Sequence, residues 1–122
     1  MMKRALVLFA HGARDPRWAE PFRRLQQIIR AQAPDLTVEL AFLELMSPRL
    51  PELTAQLVQN GYGEVTVVPV FFGQGGHVLR DLPLMIEQLR QVYPGLKLKA
   101  VQAVGEDADV LNAIARYCMA AL

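Results

Sequence analysis

The 122-residue chain is predicted to fold as an α/β domain: an open parallel sheet of four strands, order 2-1-3-4, with helices on both faces. Three observations carry that prediction. Four short apolar or alternating runs recur along the sequence, each is followed by apolar residues at helical spacing, and turn-forming residues fall at the junctions. Strand and helix alternating four times implies right-handed crossovers, which place parallel strands side by side and helices against the sheet.

The first strand is "ALVLFA" (5–10) and the third is "EVTVVPVFF" (64–72), continuous apolar runs of the kind buried on two faces. The second, "TVELAF" (37–42), and the fourth, "LKLKAV" (96–101), are shorter. In the fourth, Lys97 and Lys99 turn outward, as at a sheet edge. Helical stripes follow in turn: Trp18, Phe22, Leu25 and Ile29; then Leu50, Leu53 and Leu57; then Leu82, Ile86, Leu89 and Tyr93; finally Val110, Ile114, Cys118 and Leu122. Asp15-Pro16 and Ser47-Pro48 read as an N-cap followed by an N1 proline, and Asn60-Gly61 and Pro94-Gly95 as helix stops. Pro69 breaks the pattern, because a proline inside a strand removes a ladder donor. At this length a single domain over residues 1–122, with one core, is expected.

Composition narrows the function classes. Thirteen basic against twelve acidic residues give a net charge of +1, which leaves no global field for nucleic acid. Most of the basic residues are arginine, suited to bidentate contact with carboxylate or phosphate, so an anionic partner would be met locally. No apolar run reaches the roughly 20 residues of a membrane span, and the apolar stretch in "MMKRALVLFAHG" is too short for a secretory signal. A cytoplasmic location is expected. The single cysteine, Cys118, excludes an intrachain disulfide and a multi-cysteine zinc site, and its helical spacing from Ile114 predicts an inert buried thiol.

The two histidines both open an H-x-x-R-D pattern, "HGARD" from His11 and "HVLRD" from His77. His11 follows the first strand, and His77 follows the third through "GQGG". In an open parallel sheet, ligands bind beyond the carboxyl ends of the strands where strand order reverses. With order 2-1-3-4 the first and third strands are neighbours about 4.8 Å apart, so the two histidines converge on one crevice. Glu44 follows the second strand, the other neighbour of the first, and reads equally well as a rim ligand and as a solvated loop charge. Imidazole and carboxylate suit a divalent ion such as cobalt, nickel, zinc or iron, and take protons near neutral pH. Gly73, Gly75 and Gly76 permit close approach of backbone to a bulky ligand, and Phe42, Met46, Phe71 and Phe72 are candidates for an apolar lining. Phe71 and Phe72 read also as core. Arg14 and Arg80 are placed either to bind acidic groups of a ligand or to pair with nearby acids. Asp15 and Asp81 read as helix N-caps rather than catalysts.

Taken together, "LFAHGARDP", "FLELMSPRLPE" and "VVPVFFGQGGHVLRDLP" resemble the class II tetrapyrrole chelatases, specifically the short CbiX/SirB type that metallates sirohydrochlorin. The resemblance spans nearly the whole chain. It implies a chelatase-like (flavodoxin-like) domain that inserts Co2+, or Ni2+ or Fe2+, into sirohydrochlorin for cobalamin or siroheme synthesis. It further implies His11 and His77 as the metal-handling pair, Glu44 as the acidic residue assisting metal binding or proton removal, and Arg14, Arg80, Gly75, Gly76 and Phe72 beside the substrate. No redox cofactor or nucleotide is implied beyond the substrate metal. Pro69 belongs to the same pattern, which eases the conflict above. Two positions depart from it: Ala13 stands where serine is usual, removing a hydroxyl, and "FFGQGGH" carries an extra glycine. Longer relatives of this type hold two such domains and short ones work as homodimers, so a symmetric dimer is expected.

Other classes fit less well. A histidine-phosphatase reading of "HG" fails because Ala10, not arginine, precedes His11. The first loop lacks the Ser/Thr/Gly cradle of a flavin-mononucleotide site, and no Walker pattern is present. A non-catalytic carrier of metal or tetrapyrrole is the alternative that the same residues would serve.

Overall fold

The computed structural model describes residues 3–72 and 76–122; the side chains of residues 76–79 lie outside that description. Four parallel strands, β1 (Lys3–Ala10), β2 (Thr37–Phe42), β3 (Tyr62–Pro69) and β4 (Lys97–Ala100), form one sheet in the order β2-β1-β3-β4. The helices are α1 (Glu20–Gln32), α2 (Leu50–Gln59), α3 (Gly76–Val92) and α4 (Ala108–Ala120). Short 3-10 turns at Pro16–Ala19 and Val104–Glu106 precede α1 and α4.

The alternation of side chains along β1 divides the core in two. Ala5, Val7 and Phe9 join Val65, Val67 and Leu98 on one face, where Leu50, Leu53 and Leu57 of α2 and Leu82, Ile86 and Leu89 of α3 close over them. Leu8 and Ala10 join Val38, Leu40 and Phe42 on the other face, packed by Trp18, Phe22, Leu25 and Ile29. The first three predicted helical stripes therefore face the sheet as the spacing requires.

The fourth stripe does not. No residue of α4 is buried, and Leu111, Ile114, Tyr117 and Met119 are exposed. Cys118, predicted to be buried, is an exposed thiol for the same reason. Because α4 stands away, β3 is covered on one face only: Val65, Val67 and Pro69 are buried while Glu64, Thr66 and Val68 are half-buried. The prediction of a strand buried on two faces is corrected accordingly.

Pro69 is accommodated by position. It is the last residue of β3 and pairs with Phe9. The neighbouring Val70 N–H donates to the Phe9 carbonyl at 2.8 Å, so the Pro69 nitrogen faces the β4 side. On that side Val101 N–H still donates to the Val67 carbonyl at 3.0 Å, and Pro69, with no N–H to give, falls where the β3–β4 ladder ends.

Two caps fall elsewhere than predicted. Helix α2 is capped at Arg49 with Pro51 in its first turn, while Ser47-Pro48 belongs to the preceding loop. Helix α3 starts at Gly76, which puts Asp81 inside the helix rather than at its N-cap. Asp15 is a cap as predicted, but of the 3-10 turn: its Oδ1 accepts from Arg17 N–H at 2.9 Å. Asn60 ends α2, and Gly61 continues it out at φ +87°.

Candidate functional site

The site lies where β1 and β2 run out of the sheet together. Beyond the ladder, Leu43 N–H donates to the Ala10 carbonyl at 2.9 Å and Glu44 N–H to the His11 carbonyl at 3.1 Å. These two bonds carry the strand register one step past the sheet and set His11 and Glu44 side by side. Their side chains meet: His11 Nε2 lies 3.0 Å from Glu44 Oε1, with the imidazole 41% and the carboxylate 48% exposed. A half-solvated pair of this kind holds the ring in one orientation yet leaves it within reach of a ligand. In the tautomer that donates from Nε2 to the carboxylate, the Nδ1 lone pair is left to bind a cation or accept a proton.

Backbone geometry fixes the pair more firmly than side-chain burial does. Gly12 has φ +100°, and a Cβ there would overlap the Glu44 carbonyl oxygen, so the loop after β1 passes directly against the loop after β2. Leu45 takes φ +69°, a left-handed conformation that costs a side-chain-bearing residue on the order of 1–2 kcal/mol. That cost is sustained by closure of the 43–48 loop on both sides. Phe42 N–H donates to the Pro48 carbonyl at 2.9 Å, opposite the bonds from Leu43 and Glu44 to the β1 end. Strain held at a rim by surrounding hydrogen bonds is a common property of functional loops.

A cleft of about 410 Å³ opens beside Glu44, walled by Arg49 and Pro51 at the start of α2 and by Asp81, Leu84 and Met85 of α3. It joins the β2 rim to the first half of α3, the helix whose first turn contains Gly76 and His77. The His77 side chain and Gly75 lie outside the described residues, so the predicted convergence of His77 on His11 rests on the backbone position alone. Among the described residues no group of three His, Cys, Asp or Glu side chains is gathered as a metal site; the His11–Glu44 pair is what they bring together.

The remaining predicted residues divide. Arg14 and Arg80 are exposed. Asp15 is held by Arg17 rather than by Arg14, with Arg17 Nη2 2.7 Å from Asp15 Oδ2. The Arg17 guanidinium, seconded by its backbone N–H, keeps the Asp15 carboxyl below its ordinary value of 3.8. Phe72 is 67% exposed, so it is available to a ligand and is not core. Phe42 is buried, and Phe71 is half-buried, packing edge-on against Phe9 at 5.9 Å while lining a cleft with Leu82, Pro83 and Ile86. Met46 is half-buried against the α1-side core.

A family model described as CbiX matches residues 5–119. The chain belongs to the CbiX family. Several curated relatives carry the name sirohydrochlorin cobaltochelatase. That of Methanopyrus kandleri is 33% identical over 82 residues, covering 67% of this chain and 57% of the relative, so the match spans little more than half of that protein. That of Sulfurisphaera tokodaii is 29% identical over 105 residues, covering 86% and 82%. Among solved structures, the CbiX protein of Marinobacter aquaeolei VT8 superposes with a TM-score of 0.83 at 28% identity, covering 95% of this chain and 94% of that one. The four-stranded order and the helices thus recur in a CbiX protein over almost the full length of both chains.

Within this CbiX chain, the residues missed from the sequence are those defined by backbone shape. Gly12 and Leu45 hold the pair, and Arg49 lines the cleft beside Glu44. Gly12 carried a signal, being the glycine of "HGARD"; a leucine at positive φ carried none.

Proposed function

We propose that this protein inserts a divalent metal, cobalt first, into sirohydrochlorin in tetrapyrrole synthesis. The observation that carries the reading is the His11–Glu44 pair, 3.0 Å apart at the carboxyl ends of adjacent strands and half open to solvent. Metal insertion requires a donor that delivers the cation and a base that takes the two pyrrole N–H protons. In this reading His11 and His77 hand over the metal, and Glu44 orients His11 and receives protons. Arg14 and Arg80 attend the carboxylates that fringe the macrocycle, with Gly75, Gly76 and Phe72 against its body. Imidazole and carboxylate take Ni2+ and Fe2+ as well as Co2+, so supply and affinity order select among them. The reading requires no nucleotide or redox cofactor. The exposed Cys118 thiol suits a reducing, cytoplasmic compartment, and the working form is a homodimer.

The test is the absorbance change of sirohydrochlorin mixed with Co2+, Ni2+ or Fe2+, with and without the protein. Acceleration with wild type, lost in His11→Ala, supports the reading. Binding of metal and macrocycle with no acceleration over the free mixture would convert the protein into a carrier.

A further inference from the structure

The cleft beside Glu44 combines an apolar wall with charges of both signs. The exposed Leu84 and half-buried Met85 line its α3 side, and Glu44 and Asp81 bring two carboxylates to it. Among the described residues that line it, Arg49 is the cation. With those two acids alone the cleft would repel a carboxylate-fringed ring, so the arginine decides whether such a ligand is admitted. We propose that Arg49 binds a peripheral carboxylate of the tetrapyrrole and anchors the ring beside the His11–Glu44 pair. The inference rests on the reading of a tetrapyrrole as substrate and adds the residue that seats it.

Two properties suit Arg49 to this task, a fixed backbone and an uncommitted head group. Its backbone bridges Phe42 at the end of β2, where the Phe42 N–H donates to the adjoining Pro48 carbonyl at 2.9 Å. On the other side Leu50 is fully buried, and the Leu53 N–H donates to the Arg49 carbonyl at 3.0 Å as α2 begins. Glu44 follows Phe42 by two residues, so one strand end holds both the Arg49 backbone and the carboxylate. The Arg49 side chain, in contrast, is exposed and has no hydrogen bond or ion pair among the described residues.

Other arginines are already engaged. Arg17, Arg23, Arg30 and Arg90 hold Asp15, Glu20, Glu39 and Glu87. Arg90 also lines a cleft, but it donates to the Leu98 carbonyl at 2.9 Å and would have to give up that bond to meet a ligand. Arg49 gives up only water, and its planar fork matches a carboxylate with two parallel bonds. A guanidinium stays protonated and has no lone pair to offer a metal, so the contact acts on the ring and not on the cation.

The experiment titrates the full chain with metal-free sirohydrochlorin at several salt concentrations, followed by the fluorescence of the macrocycle. Arg49→Ala is expected to weaken binding about 10-fold, the scale of one charge-assisted contact, and to flatten the dependence of affinity on salt. Arg49→Lys should restore the salt dependence and part of the affinity. Co2+ affinity by titration calorimetry and urea stability should match wild type in both variants, and in the insertion assay the loss should fall on KM with kcat kept. Unchanged affinity and salt dependence in Arg49→Ala, or a loss that Arg49→Lys leaves unrestored, overturns the inference whether or not insertion is accelerated. Arg49-dependent binding without acceleration over the free mixture supports the inference and overturns metal insertion. A wild type that does not bind the macrocycle overturns both.

Discussion

The two H-x-x-R-D stretches read alike and are built differently. After β1 the chain turns sharply: His11 faces Glu44, Gly12 takes a left-handed conformation, and Asp15 caps a 3-10 turn before α1 begins at Glu20. In the second stretch the motif itself lies within a helix. Residues Gly76–Val92 form α3, so Arg80 and Asp81 lie inside the helix and Asp81 walls the cleft beside Glu44. The same five-residue spacing thus spans a loop with a cap in one place and a helical turn and a half in the other. Short sequence echoes report residue chemistry at equivalent strand ends, not equivalent backbone.

The largest effect that could break this comparison is at the histidines. His11→Ala and His77→Ala are each expected to slow metal insertion by about 100-fold or more, the scale of losing a positioned acid–base group. Sirohydrochlorin absorbance kinetics measure it, and normal turnover in His77→Ala alone would show that the second junction does not share the function of the first. Next comes Gly12→Ala, which combines φ +100° with a Cβ against the Glu44 carbonyl. A loss of about 2–4 kcal/mol in urea unfolding is expected.

Glu44→Gln keeps the shape of the pair and removes its charge, and a loss of about 10-fold to 100-fold in metal affinity or insertion is expected, as for other groups that orient a ligating histidine. Titration calorimetry with Co2+ separates the two. Asp15 gives the smallest effect. Its carboxyl is held below 3.8 by Arg17, so its contribution to stability is present above that value and is lost as pH falls through the lower folded-state value. A melting-temperature profile of Asp15→Asn against wild type should therefore converge at acid pH.

Much of this was legible in the sequence because the signals are local. Apolar runs and helical spacing located the four strands and four α-helices of the described residues, and the alternation of the two dictated a parallel sheet. The order 2-1-3-4 then placed His11 and Glu44 on adjacent strand ends, where they are found in contact. Caps were less secure, since Ser47-Pro48 and Asp81 carry cap chemistry but the chain begins its helices at Leu50 and Gly76. Local propensity proposes a start, and packing of the apolar stripe decides it.

The sequence by itself therefore determined the α/β class, the strand order, and the placement of His11 and Glu44 at neighbouring strand ends. Only the tertiary structure decided how loops and helices meet. The closeness of Gly12 to Glu44 and the left-handed Leu45 arise from two strand ends bonded to each other across 33 positions of sequence, which no local pattern encodes. The stripe on α4 said that the helix must be buried but not against what. In the tertiary structure no residue of α4 is buried, since amphipathic spacing specifies an apolar face and not its partner.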